Sequence, residues 1–373
     1  MRATHKVMAI VGVLAAVIVF AVVGAGCGGS NATGGTTTSS GGSSATTVGA
    51  TSSTLINTTT SGATSSTAGS TTGPVPGKVY KIGIVQIVTH PALDATVAGF
   101  IEALAQAGYV EGKNVTFDKQ NAQGDMANAT AIAQKFAGEK LDLILSVATP
   151  TSQAVAKATT TTPIIFAAVT DPVAAGLVKN ADAPEGNITG ASDMLPVQPH
   201  LDLIKQLVPN VKTIGLLYNA GETNSVTLVK LEKAAAAAMG LKTVDATAAS
   251  SSEVLAAAQS LAGRVDAVSV LTDNTVVSAL DSVIKVCQDN KIPLIAGDIN
   301  SVKGGAVAAY AFDYHDHGVQ AGAMAVKVLQ GTPISQIPVE YAKNLQLAIN
   351  LEAAKAMGVT IPDALKAKAN STF

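Results

Sequence analysis

The chain has 373 residues, 47% hydrophobic, 13% charged and 3% aromatic, with no Trp, a formal net charge of −2 and a mean hydropathy of +0.35. A chain this long and this neutral has room for two domains and lacks the basic surplus of a nucleic-acid binder. Two Cys and no strict Gly or heptad repeat exclude a disulfide scaffold, a collagen and a long coiled coil.

Charge is unevenly placed. Residues 1–77 carry Arg2 and Lys6 and no acid, so the rest holds 22 basic side chains (24 minus 2) against all 26 acids. Arg2, His5 and Lys6 precede an uncharged apolar run over 7–26 that closes on small residues directly before Cys27. A basic start, an apolar middle and a small-residue end make a secretory signal. The end resembles a lipobox, so cleavage before Cys27 and lipidation of its thiol are expected; Gly24 stands where such sites usually carry Leu. The alternative is a retained helix, since about 20 apolar residues can span a bilayer. Either version tethers the protein on the outer face of the cytoplasmic membrane.

Residues 28–77 are about three-quarters Ser, Thr and Gly and contain no charge. Too little apolar side chain is present to offset ordering entropy, so this stretch is expected to be a disordered tether, with a reach of roughly 40 Å for about 50 residues.

From residue 78 the pattern changes to apolar runs of strand length separated by amphipathic helical stretches. Strands are expected at 80–87, 114–118, 141–147 and 163–169, with helices at 93–108, 126–136 and 151–158. A second series begins with a helix at 200–207. Strands follow at 213–218, 242–244, 267–271 and 292–296, with helices at 226–239, 252–261 and 276–289. The last of these would bury Cys287, which has no intramolecular partner once Cys27 is lipidated. A strand at 305–310 and a helix at 321–329 close the pattern. Continuous apolar strands alternating with helices indicate parallel sheets covered on both faces. The expected fold is therefore α/β, with two doubly wound parallel-sheet lobes joined by a multi-strand hinge. Lobe I is expected over 78–194 plus 306–331 and lobe II over 195–305 plus 332–373, with hinge strands near 194–198, 303–305 and 332–338.

In open parallel sheets ligands bind beyond the carboxyl ends of the strands, where helix N-termini present N–H groups. Polar residues concentrate there: Gln86 and His90 after the first strand, Thr149 and Thr151 after the third, and Thr170 and Asp171 after the fourth. In the second series the corresponding residues are Asn219 and Ser225, Asp273, and Asp298. Hydroxyls at a helix start suit a carboxylate, and carboxylates at strand ends suit an ammonium. Each of these types is also a common N-cap, so the set carries more than any member.

Catalytic signatures are missing: no Walker A sequence, no G-x-G-x-x-G after a strand, no His-Glu-x-x-His and no G-x-S-x-G. Asp313, His315, Asp316 and His317 are the nearest thing to a metal cluster, but at a helix start they point different ways, so neither metal nor cofactor is expected. His90 and Asp94 lie four apart without a nucleophile, which favours capping or ligand contact over acid–base work.

The chain resembles the ABC transporter substrate-binding family that includes the tryptophan-binding TrpX-like lipoproteins, with the type I periplasmic-binding-protein fold. The resemblance covers most of 79–360. It rests on QIVTHPALD at 86–94, ATPTSQA at 148–154, AVTDPVAAGL at 168–177, NITGASD at 187–193, Tyr218-Asn219 with Glu222 and Asn224-Ser225, and TDNTV at 272–276. It implies a non-enzymatic, monomeric receptor that captures a small solute by hinge closure and delivers it to an ABC permease powered by a separate ATPase. The implied solute is an amino acid, with aromatic ones among the candidates. Thr149 and Thr151 would hold its carboxylate, and Asp273 or Asp298 its ammonium. Alternatives are a sensor that signals to a membrane receptor, or a receptor for a nucleoside or sugar.

Overall fold

The computed structural model describes residues 73–373; the signal segment, Cys27 and the tether as far as residue 72 lie outside the described residues. The first series runs β1 (Tyr80–Gln86), α1 (Pro91–Gln106), β2 (Val115–Asn121), α2 (Met126–Gly138), β3 (Leu143–Val147), α3 (Thr149–Ala158), β4 (Ile164–Val169) and β5 (Ile188–Ser192). The second runs α4 (Val197–Leu207), β6 (Thr213–Tyr218), α5 (Thr223–Ala238), β7 (Lys242–Thr247), α6 (Val254–Gln259), β8 (Ala267–Val270), α7 (Asn274–Ser278), α8 (Leu280–Asp289), β9 (Leu294–Ala296), α9 (Ile299–Gly304) and β10 (Ala308–Ala311). The chain then forms α10 (Tyr314–Leu329), β11 (Glu340–Tyr341), β12 (Gln346–Ile349), α11 (Leu351–Ala356), α12 (Asp363–Lys366) and β13 (Ser371–Thr372).

Every residue of β3, β4 and β5 is buried, which follows from an apolar run covered on both faces. The first sheet is parallel throughout, in the order β11-β5-β4-β3-β1-β2. The second has the order β13-β12-β10-β9-β8-β6-β7 and is parallel except where β10 meets β12. Each winding reverses direction once, between β1 and β3 and again between β6 and β8, and such switch points are where doubly wound sheets bind ligands. Each sheet has its own apolar core, with Phe100, Phe136 and Phe166 in the first and Cys287 in the second.

The lobe boundaries differ from the sequence expectation. Strand β10 pairs with β9 and β12, so it belongs to the second sheet and not to lobe I. Helix α10 does pack in lobe I, against α1, and the chain stays there through β11, which extends the first sheet beside β5. The chain therefore crosses between lobes at 193–196, 312–313 and 342–345. Two of the expected hinge strands, 303–305 and 332–338, lie within single lobes. The physical anchor for α10 is backbone contact: a Cβ on Gly318 would stand 2.1 Å from Thr96 O, and one on Gly99 2.1 Å from His315 O. Only glycine permits that approach. The expected helix over 276–289 is two helices, because Ala279 leaves helical geometry with φ −121° and ψ 26°.

Candidate functional site

The carboxyl ends of the two sheets face each other across a narrow cavity of about 20 Å³. That is far below the roughly 300–1,000 Å³ range of ligand pockets, so the lobes have to part to admit a solute. Lobe I contributes His90 after β1, Ala168 and Thr170 at the end of β4, Asp193 after β5, and Tyr314 from α10. Lobe II contributes Asn224, Thr272, Asp273, Asn274 and Asp298. Leu93 and Val277 supply apolar wall, and Phe312 backs Tyr314 with ring centroids 5.2 Å apart.

Asp193 is buried at the first interlobe crossing. Its Oδ1 accepts from Thr170 Oγ1 at 2.9 Å and its Oδ2 from Tyr314 OH at 2.7 Å. Burial pushes its carboxyl above the usual range, and the two hydroxyl donors pull it back. Thr170 has spent its proton on Asp193, so the 3.3 Å contact between Thr170 Oγ1 and Thr272 Oγ1 is a bond donated by Thr272 across the cleft. A second crossing runs from Gln153 Nε2 to Thr223 Oγ1 at 3.5 Å. The lobes are in contact.

His90 caps α1, its Nδ1 accepting from Leu93 N at 3.5 Å, which leaves the ring proton on Nε2 beside Asn274. Burial lowers its pKa, opposed by the charges of Asp298, Asp94 and Glu222, so the ring stands neutral.

In lobe II the start of α7 is held by two carboxylates. Asp273 Oδ1 accepts from Val276 N at 2.7 Å, and its Oδ2 from Asn219 N and Ser225 Oγ, both at 2.6 Å. Burial, then the neighbouring Glu222 charge, raises its pKa to about 7. Glu222 accepts from Thr275 N at 3.0 Å and Thr275 Oγ1 at 2.8 Å on one oxygen, and from Asn224 and Asn274 on the other. These groups satisfy the helix start from within the protein. Asn224 Nδ2 donates to Glu222 Oε2 at 3.0 Å and to Thr272 O at 2.8 Å. Two acceptors fix the amide orientation, so Oδ1 is the other end, buried and without a partner among the described residues. Asp298 caps α9 through Ser301 N at 2.7 Å and also accepts from Ser301 Oγ.

The structure thus brings His90, Thr170, Asp273 and Asp298 of the expected set to one cavity. The others stand behind or beside it. Gln86 ties its loop to α1 through Val88 O and Asp94 Oδ1, both at 2.7 Å. Thr151 donates to Val147 O at 2.6 Å, and Thr149 is buried with its hydroxyl unpartnered among the described residues. Asp171 closes a turn onto Val173 N and Ala174 N. Asn219 lines a wider open groove, and Ser225 supports Asp273.

Asp193, Asn224, Thr272, Asn274 and Tyr314 also line the cavity and were not among the site residues expected from sequence. The pairing of Glu222 with Asn224 ahead of a helix was the available signal, since one cap suffices. Two non-glycine residues at the strand ends have positive φ, Ala148 at 81° and Ala168 at 54°. Such strain concentrates at ligand clamps. Ala168 N is held by His317 Nε2 at 3.0 Å, and burial holds His317 down at about 4. Its neighbours diverge, Asp313 capping α10 and His315 pairing with Glu102 at 3.0 Å. Cys287 sits in α8, its thiol pushed up to about 12 by burial, which makes it a packing residue.

Comparison with known proteins agrees with this geometry. The family model for ABC transporter substrate binding protein matches residues 81–373. A tyrosine-binding protein of Clostridioides difficile is 44% identical over 280 residues, covering 75% of this chain and 81% of that protein. A crystal structure of an ABC domain in complex with L-Trp, from Streptococcus pneumonia, is 37% identical and superposes at a TM-score of 0.77, covering 79% of this chain and 100% of that one. A ligand-free, open substrate-binding protein from Clostridium difficile is 42% identical yet superposes at only 0.60, covering 79% and 99%. The lobes of this chain therefore stand nearer to the L-Trp-bound arrangement than to the open one, against the order of sequence identity.

Proposed function

The chain belongs to the ABC transporter substrate-binding protein family, and on that premise we propose that it captures an amino acid, aromatic by preference, between its lobes and hands it to a membrane permease driven by a separate ATPase. The observation that carries this reading is the small cavity closed by both lobes, with carboxylates beside a wall of His90 and Tyr314 that Phe312 backs. The tyrosine-binding and L-Trp-bound relatives support the same ligand class. Lipidation at Cys27 would hold the protein on the outer face of the cytoplasmic membrane, with residues 28–77 as tether. Among the described residues no helix is long and apolar enough to cross a membrane.

The mechanism follows from where the cavity is built. A solute resting on one lobe gains its remaining contacts only when the other arrives, so it binds the closed state better and shifts the population toward it. The Thr272 to Thr170 bond forms in the same movement. Closure rotates about the three crossings at 193–196, 312–313 and 342–345.

The test is thermal unfolding of ligand-stripped protein against amino acids, nucleosides and sugars. A ligand at 100 times its Kd stabilises the native state by about 2.7 kcal/mol. A rise in Tm confined to aromatic amino acids is expected; a rise with a sugar or nucleoside alone would leave the fold and remove the ligand class.

A further inference from the structure

Resting on the amino-acid reading above, we propose that the cavity recognises its ligand through the ammonium group. Asp193 is the counter-ion, and Asn224 Oδ1 and Asp298 complete the acceptor set from the facing lobe. The choice follows from counting what each acceptor already holds. Asp273 takes three protein donors and Glu222 five, all in building the start of α7. A carboxylate offers about four lone-pair sites. Asp193 uses one per oxygen, for Thr170 and Tyr314, and keeps capacity at the cavity wall. Asp298 has used one per oxygen on Ser301. Asn224 Oδ1 is a buried acceptor in the same wall with no donor among the described residues. A buried acceptor left unmet costs free energy, and an ammonium with three protons can meet that amide oxygen together with the spare lone pairs of Asp193 and Asp298.

The converse holds for the ligand's carboxylate. No Lys or Arg lines the cavity among the described residues, His90 is neutral, and Thr272 has given its proton to Thr170. What remains to face an anion is the start of α1 at Ala92, since Leu93 N is already spent on the His90 cap. Recognition is therefore asymmetric. Loss of the amine leaves Asp193 buried and uncompensated, whereas loss of the carboxylate forfeits one helix terminus.

The experiment is calorimetric titration of the ligand-free protein with L-tyrosine, tyramine, which lacks the carboxylate, and 3-(4-hydroxyphenyl)propionate, which lacks the amine. We expect L-tyrosine to bind, the acid to lose roughly 100-fold or more in affinity, and tyramine to lose less than about tenfold. D193N, which keeps the shape of the side chain and the Thr170 contact, should weaken L-tyrosine roughly 10- to 100-fold and shrink the preference for tyramine over the acid. That ratio is a readout a purely structural role would not move. If L-tyrosine binds but the acid matches or outbinds tyramine, the assignment is overturned while the amino-acid reading stands. An undiminished preference in D193N likewise overturns it. If neither L-tyrosine nor L-tryptophan binds at all, the reading beneath it fails as well.

Discussion

Glu232 lies in the middle of α5, 1% exposed in the core of the second lobe. Its Oε1 has no hydrogen-bond partner among the described residues and stands 3.7 Å from His200 Nε2, which is itself 2.8 Å from Ser269 Oγ. Serine and acid meet the same imidazole nitrogen, and all three groups are buried, so the trio is not a hydrolytic triad, in which the acid orients the opposite nitrogen. Burial pushes the Glu232 carboxyl from 4.5 up to about 7, and burial pulls His200 down to about 4. The pair is held as neutral acid and neutral imidazole.

A carboxyl with a raised folded-state pKa binds its proton more tightly when native. Its stabilising effect is complete below the unfolded value of 4.5 and is lost as pH rises through about 7. At about 1.4 kcal/mol per unit the full loss is about 3 kcal/mol, most of it falling between pH 5 and pH 8. Glu232→Gln removes this titration and leaves that of His200 as a shared background. Urea unfolding of both proteins across that range should show the variant gaining about 2–3 kcal/mol relative to the parent as pH rises. A variant that instead loses ground at pH 8 would mean an ionised Glu232 paired with a charged His200, and a pH-independent difference would mean no titration at all; either result refutes the reasoning.

Two further substitutions test other parts of the structure. Gly318→Ala drives a methyl group toward Thr96 O and should cost about 1–3 kcal/mol or more in urea unfolding; an unchanged midpoint would mean that α1 and α10 are not in backbone contact. Asp273→Ala strands Asn219 N, Ser225 Oγ and Val276 N and should cost about 2 kcal/mol or more. Asp273→Asn should leave L-tyrosine affinity within about threefold, because this carboxylate serves the helix start; a loss on the scale expected of a counter-ion would show in the same calorimetric titration.

The doubly wound plan was legible because runs such as Leu143–Val147 and Ile164–Val169 are apolar on both faces, which only a covered parallel sheet satisfies. Strand β5 escaped notice. Its sequence, ITGAS, is small and half polar, and its buried hydroxyls are met by distant carbonyls, Thr189 by Ile337 O and Ser192 by Thr170 O. The return of α10 to lobe I was readable from sequence, but its cause was not, since Gly99 and Gly318 lie far apart in the chain. The same distance explains the incomplete site. Strand-end position pointed to His90, Thr170, Asp273 and Asp298, which line the cavity, whereas Tyr314 meets Asp193 across 121 residues and had no local signature beyond a helix start. Capping residues and ligand residues are also chemically alike, which is why Asp171 and Ser225 read as candidates.

Closure of the two lobes on an aromatic amino acid is tested most directly by distance. Met126 on α2 and Leu255 on α6 are exposed on opposite lobes, and each can be replaced by Cys to carry one of a pair of fluorophores in a Cys27→Ser background, with Cys287 buried from labelling. Energy transfer should rise saturably as L-tyrosine or L-tryptophan is added to ligand-free protein and stay flat with sugars and nucleosides. Flat transfer with every aromatic amino acid, alongside a saturable change with a sugar or nucleoside, would contradict the account.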